Sequence, residues 1–192
     1  MNISEIFYSI QGEGYRTGVP TIFIRFFGCN YDCPFCDEPL HKTTKIPMSE
    51  IDILTEIAKY PCKDITITGG EPTLQDLNSF IKMLQADGNI VSVETNGHQI
   101  DNIKSAEWIT CSPKFKDTIQ DKRISEYKYI VKDSSDLDDA LKCLEWSSNV
   151  YIQPENNMYS VNQESLKYCM EQVLVYPSLK LSVQLHKILG VE

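Results

Sequence analysis

The sequence predicts an α/β fold in which a parallel sheet, with helices packed outside it, curves into a partial (β/α)6 barrel. Three observations carry that prediction. β-branched, apolar runs of strand length alternate with helical periodicities about six times along 192 residues, and parallel strands need such crossovers. Polar and glycine-rich signatures stand directly after the strands, where barrels gather loops around one ligand. Six units are too few to close an eight-fold barrel, which leaves one side open for a ligand, a partner subunit, or both. No low-complexity linker interrupts the alternation, so residues 1–192 are read as one domain.

Residues 3–10 alternate loosely and end in the glycine-flanked turn Gln11-Gly12-Glu13-Gly14. Residues 21–27, dense in β-branched and aromatic side chains, form a buried strand that runs into Gly28-Cys29. Ser49 caps a helix whose Ile51, Leu54, Ile57 and Ala58 share one face, and which ends before Pro61. A short strand over 64–68 enters Gly69-Gly70-Glu71-Pro72. The amphipathic helix after it keeps Leu74, Leu77, Ile81 and Leu84 in register and stops at Gly88. Residues 89–94 form the next strand, closed by Glu94-Thr95-Asn96-Gly97. Three further strands follow: 107–111 into Ser112-Pro113-Lys114, 127–131 into Lys132-Asp133, and 149–152 into Gln153-Pro154. Helices over about 135–146 and 162–175 follow the last two, the first opening on Ser135-x-x-Asp138 at capping-box spacing. A last strand near 179–184 leads to His186.

A composition of 42% hydrophobic and 23% charged residues is that of a globular protein with a real core. No basic segment leads into an apolar run after Met1, and the run 21–29 is broken by Arg25, so neither a signal peptide nor a membrane span is expected. The expected location is the cytoplasm. Seven cysteines, an odd number, argue there against a disulfide framework. Cys62, Cys111, Cys143 and Cys169 are scattered, and the apolar neighbours of Cys111 and Cys169 mark buried thiols. A net charge of −9 disfavours a nucleic-acid interface, which needs Lys and Arg against phosphates, and favours a small-molecule substrate.

The chemistry concentrates in Cys29-x3-Cys33-x2-Cys36. Three cysteines within eight residues can aim their sulfurs into one place from a short loop. A [4Fe–4S] cluster on these three would keep one iron without a protein ligand, open for chemistry. A zinc site with His41 as fourth ligand is the other reading of the same spacing. Gly69-Gly70 alone would mark an ordinary turn. Cysteine loop and glycine pair in this order, on the loops after two successive core strands, weigh against zinc.

Together these two motifs resemble the radical S-adenosylmethionine (SAM) enzymes, and the resemblance implies a truncated form of their core. It implies that Cys29, Cys33 and Cys36 hold the cluster, whose open iron takes the amino and carboxylate groups of SAM. Backbone atoms of Gly69, Gly70 and Glu71 would receive the SAM ammonium, and Phe35 would contact adenine. Further segments are similar to the 7-carboxy-7-deazaguanine synthase family over nearly the whole chain. They are Ser9 to Gly14, the strand through Phe23-Ile24-Arg25-Phe26, Cys36-Asp37, Glu94 to Gly97, Ser112-Pro113-Lys114, Gln153-Pro154 and Leu185-His186-Lys187-x-x-Gly190. That family contracts 6-carboxy-5,6,7,8-tetrahydropterin to 7-carboxy-7-deazaguanine with loss of ammonia, a carbon–nitrogen lyase step towards queuosine and related 7-deazapurines. Activating enzymes that install a glycyl radical on a protein, such as anaerobic ribonucleotide reductase, share the cysteine loop. They are not expected to carry the Gln11-Gly12-Glu13-Gly14 and His186-Lys187 ends.

The resemblance assigns roles by motif position. Asp37, Gly70, Glu94, Asn96, Ser112, Lys114 and Gln153 are expected around SAM, with Lys114 meeting its carboxylate. Ile10, Gln11, Gly12, Glu13, Thr68 and His186 are expected around the pterin. Arg25, a charge in an apolar strand and costly to bury unpaired, would grip the substrate carboxylate by a two-pronged contact. The terminal carboxylate of Glu192 would meet the guanidine-like edge of the pterin. One position departs from the family: Glu38 stands where Thr or Ser usually helps hold Mg²⁺, and is the candidate ligand here. A flavodoxin- or ferredoxin-type electron donor and a homodimer are also implied; nucleic acid and membrane are not.

Overall fold

The structure, a computed structural model, describes residues 1–114, 119–158 and 160–191. A hairpin opens it, with β1 (Asn2–Ile10) antiparallel to β2 (Pro20–Phe26). The two-residue β3 (Ile46–Pro47) pairs with the outer side of β1, also antiparallel. From β2 onward every pairing is parallel, through β4 (Asp64–Gly69), β5 (Ile90–Thr95), β6 (Trp108–Cys111), β7 (Glu126–Val131), β8 (Val150–Pro154) and β9 (Lys180–Leu181). The sheet order is β3-β1-β2-β4-β5-β6-β7-β8-β9, so β3 and β9 are free edges and the barrel is partial.

Helices cover one face of this sheet. After the cysteine loop come α1 (Leu40–Thr43) and α2 (Glu50–Ile57), and β4 leads to α3 (Asn78–Ala86). β7, β8 and β9 lead to α4 (Ser134–Cys143), α5 (Gln163–Val175) and α6 (Leu185–Leu189). On the covered face Ile22, Ile24 and Phe26 join Ile65, Ile67, Val91 and Val93 with Phe80, Ile81 and Leu84 of α3 in one core. Side chains alternate across a strand, so the intervening positions point the other way. There stand Arg25, Thr68, Glu94 and Lys128, beside the apolar Phe23 and Ile130. The concave side of the partial barrel is therefore rich in polar and charged groups.

Several elements differ from the sequence reading. Residues 3–10 belong to a full strand, whose alternation is blurred by a register shift between Ile3 and Glu5. The six units are complete in their strands but not in their helices. A single 3₁₀ segment, Ile100–Ile103, links β5 to β6, and no helix lies between β6 and β7 among the described residues. Leu74 is not part of α3; it sits in a 3₁₀ turn, 44% exposed, and the helix begins at Asn78. The capping box expected at Ser135 and Asp138 is replaced by Asp133, whose carboxylate accepts from the backbone N–H of Ser135 at 2.9 Å. Ser49 caps α2 as expected and completes a capping box with Asp52. The last strand shrinks to β9, one further bond joining the Ser182 N–H to the Ile152 carbonyl at 2.9 Å before the chain enters α6.

Candidate active site

The loops at the C-terminal ends of the parallel strands enclose a cavity of ≈ 720 Å³. Its floor is the join between the cysteine loop and the loop after β4. The N–H of Gly70 donates to the Phe26 carbonyl at 3.0 Å, and that of Glu71 to the Gly28 carbonyl at 2.8 Å. Both glycines are required there. A Cβ on Gly69, whose φ is +128°, would lie 2.3 Å from the Phe26 carbonyl oxygen, and one on Gly70 would lie 2.0 Å from that of Gly28. The Gly-Gly pair is thus the seat on which the cysteine loop rests.

Cys29, Cys33 and Cys36 are free thiols, and all three line the cavity. The loop turns through a Cys36 N–H to Cys33 carbonyl bond of 3.1 Å, and the Tyr31 N–H points at the Cys29 sulfur from 3.4 Å. Burial pushes the Cys29 and Cys33 thiols up, and the charges of neighbouring cysteines add to this. Three thiolates close together need a cationic centre to hold them deprotonated. Among the described residues no three His, Cys, Asp or Glu side chains are gathered tightly enough for one metal ion. A cubane, which takes thiolates at separate corners, fits this donor set. His41 faces the backbone instead, its Nδ1 against the Glu38 carbonyl.

Around this loop the residues expected at SAM converge, with one exception. Asn96 Nδ2 donates to Asn30 at 2.8 Å beside Cys29. Lys114 Nζ donates to Ser112 Oγ at 2.9 Å, and burial, reinforced by the Lys128 charge, lowers its pKa. Glu94 binds Gln11 Nε2 at 2.9 Å through one oxygen and Thr68 Oγ1 at 3.1 Å through the other. Gln153 accepts from Ser182 at 2.8 Å. Phe35 and Asp37 line the cavity too. Glu71 is the exception. Its carboxylate is buried outside the cavity and accepts from Thr73 N–H (2.9 Å), Thr73 Oγ1 (2.6 Å), Thr95 Oγ1 (2.7 Å) and Asn96 N–H (2.6 Å). Its side chain ties the loops after β4 and β5 together and does not face the site.

The same cavity is lined by Ile10, Gln11, Gly12, Glu13, Arg25, Thr68 and His186. Gly12 accepts the N–H of Leu185 at 2.9 Å, and a Cβ on it would lie 2.3 Å from His186 Nδ1, so only glycine lets α6 approach this closely. Burial lowers the pKa of His186, against the pull of Glu13. Arg25 is already held by two carboxylates, Glu5 at 2.6 Å and Glu38 at 3.0 Å. The other Glu38 oxygen accepts from the Leu40 N–H at 2.7 Å. The Arg25 guanidinium already neutralises Glu38, and its positive charge beside that carboxylate does not fit a divalent ion. Glu192 lies outside the described residues.

Sequence reasoning missed Glu5, Lys128 and Gln184, all on the cavity wall. The signal that singled out Arg25, a charge within an apolar strand, applies equally to Lys128 in Tyr127–Val131. Lys187, part of the closing His-Lys motif, binds Asp37 at 2.7 Å and the Asn157 carbonyl at 2.6 Å through its ammonium.

Three thiols over a glycine seat at the strand ends define a class. The family model described as the radical SAM superfamily matches residues 23–161, and the chain belongs to that superfamily, whose members work with a [4Fe–4S] cluster and SAM. Within it the chain falls in the family of the 7-carboxy-7-deazaguanine synthases. It is 38% identical to the 7-carboxy-7-deazaguanine synthase of Bacteroides thetaiotaomicron over 98% of this chain and 97% of that protein. With the Haemophilus influenzae synthase it shares 33% identity over 100% and 94%. The crystal structure of QueE from Escherichia coli superposes with a TM-score of 0.80 at 27% identity, covering 96% of this chain and 94% of that one. SAM-bound SuiB from Streptococcus suis, 12% identical, shares the fold at a TM-score of 0.53 over 84% and 46%. No helix among the described residues is long and apolar enough to cross a membrane.

Proposed function

We propose that this protein converts 6-carboxy-5,6,7,8-tetrahydropterin to 7-carboxy-7-deazaguanine and ammonia. The supporting observation is one cavity lined both by the cysteine loop with its glycine seat and by Gln11, Glu13, Arg25 and His186. Cys29, Cys33 and Cys36 hold the cluster. Phe35, Asp37, Gly69, Gly70, Glu94, Asn96, Ser112, Lys114 and Gln153 surround SAM, with Glu71 contributing backbone only. Cluster and SAM, when bound, supply the radical that removes hydrogen from the substrate. The chain's own part is to hold and enclose: Arg25 meets the substrate carboxylate, Gln11 and Thr68 hydrogen-bond the ring, and α6 covers the cavity and keeps water out.

Mg²⁺ stands apart. Because the Arg25 guanidinium sits against Glu38 as its counter-charge, no step is assigned to a divalent ion. A chelator is expected to leave turnover unchanged; a lost rate restored by Mg²⁺ alone would return Glu38 to the role of ligand. A low-potential flavodoxin or ferredoxin as electron donor, a homodimer, one domain over residues 1–192 and a cytoplasmic location complete the proposal.

Anaerobic turnover of the reconstituted protein with SAM, a strong reductant and the carboxytetrahydropterin tests it. 7-Carboxy-7-deazaguanine is the expected mass. SAM cleavage to 5′-deoxyadenosine without that product would keep the radical chemistry and discard the substrate, leaving a protein target such as a glycyl-radical enzyme.

A further inference from the structure

Lys128 is a buried cation for which the reaction above has no use. Its side chain, 7% exposed, leaves β7 for the concave face and pairs with Glu13. The second oxygen of Glu13 accepts from Gln184 Nε2 at 2.7 Å, and Gln184 in turn accepts from Asn156 at 3.0 Å. The other charged or titratable groups around the pair are Glu94 on β5, Glu126 on β7, Lys114 after β6, Asp37 after the cysteine loop with its partner Lys187, and His186 on α6. Three of these are carboxylates. A further carboxylate buried among them would take up a proton unless a cation compensates it. Lys128 supplies that cation, and each Glu13 oxygen, with one donor apiece, keeps acceptor capacity towards the cavity.

We propose that Lys128 is a positioning residue, holding Glu13 ionised and aimed into the cavity as acceptor for paired N–H donors on the substrate. The ligand chemistry this selects is a guanidine-like edge, such as that of a pterin ring. The proposal rests on reading the cavity as the pterin site. Burial pushes Glu13 up, but the Lys128 charge and the hydrogen bonds from Lys128 and Gln184 outweigh it and hold it at about 2.

The test is steady-state kinetics of reconstituted Lys128→Met, Lys128→Arg and Glu13→Gln between about pH 5 and 9. For Lys128→Met, KM for the carboxytetrahydropterin is expected to rise about tenfold or more, the loss of a charge-assisted hydrogen bond, with kcat changing less. The acidic limb of kcat/KM should move to higher pH, and Lys128→Arg should restore most of both. Equal falls in kcat/KM at every pH, or an unmoved KM, would overturn the proposal. If Lys128→Met does not fold, Lys128→Met/Glu13→Gln removes both buried charges; a KM no worse than that of Glu13→Gln supports the pairing, and a far worse one overturns it. Wild-type protein that makes no deazaguanine would instead remove the functional reading beneath it.

Discussion

Glu71 shows how a motif residue can serve a site without entering it. Four donors from two loops converge on its buried carboxylate, and one of them is the backbone N–H of Asn96, beside Cys29. Glu71→Ala strands those donors, so chemical denaturation should reveal a loss of about 2–4 kcal/mol. Glu71→Gln, which keeps two acceptor sites, should lose less. Glu13 makes a second prediction, in pH. Its folded pKa of about 2 lies below its ordinary value of 4.5. The pairing therefore stabilises the fold above pH 4.5, and that contribution fades as pH falls from there towards 2. Thermal melts of wild type and Glu13→Gln should differ above that window and converge within it. Arg25 was legible in the sequence because a charge in an apolar strand demands partners. Those partners, Glu5 and Glu38, were not, since nothing local in sequence announces a neighbour on an antiparallel strand or across a loop.

The elements that carry the site are a strand end and two turns. β2 and β4 deliver the cysteine loop and glycine pair side by side because Arg25 pairs with Thr68 and Phe26 with Gly69 in parallel register. Gly70→Ala is expected to push that loop off its seat, since its Cβ would meet the Gly28 carbonyl at 2.0 Å. Iron bound per chain after reconstitution should fall sharply, with the core of the sheet, read by far-ultraviolet circular dichroism, intact. Full iron loading would show that the loop does not depend on this contact. The strands were legible because β-branched runs bounded by Gly and Pro have few other readings. The helix starts were not: Asp133 outcompetes Ser135 as cap of α4 with a carboxylate two residues ahead of the N–H it accepts. The short link through Ile100–Ile103 carries no long periodicity to detect.

Across the whole molecule, the two chain ends meet over the cavity. Leu185 binds Gly12, Gln184 spans Glu13 and Asp37 at 2.7 and 2.8 Å, and Lys187 clamps Asp37. The residue after the last cluster cysteine is thereby tied to α6. Lys187→Met should speed hydrogen exchange over residues 185–191 and raise KM for the pterin, while global melting changes little; unchanged exchange would contradict the clamp. This closure could be expected only from family likeness. Pattern alone gives strands and their faces, whereas the polar lumen emerges once pairing places Arg25, Thr68, Glu94 and Lys128 on one side.

Cys29, Cys33 and Cys36 share one cavity with the residues proposed for SAM, and would hold there a cluster able to bind it. Iron and zinc content after anaerobic reconstitution, with electron paramagnetic resonance of the reduced protein before and after SAM, tests this directly. About four iron atoms per chain and a cluster signal that shifts on adding SAM are expected. A colourless protein holding one zinc, or a cluster indifferent to SAM, would contradict it.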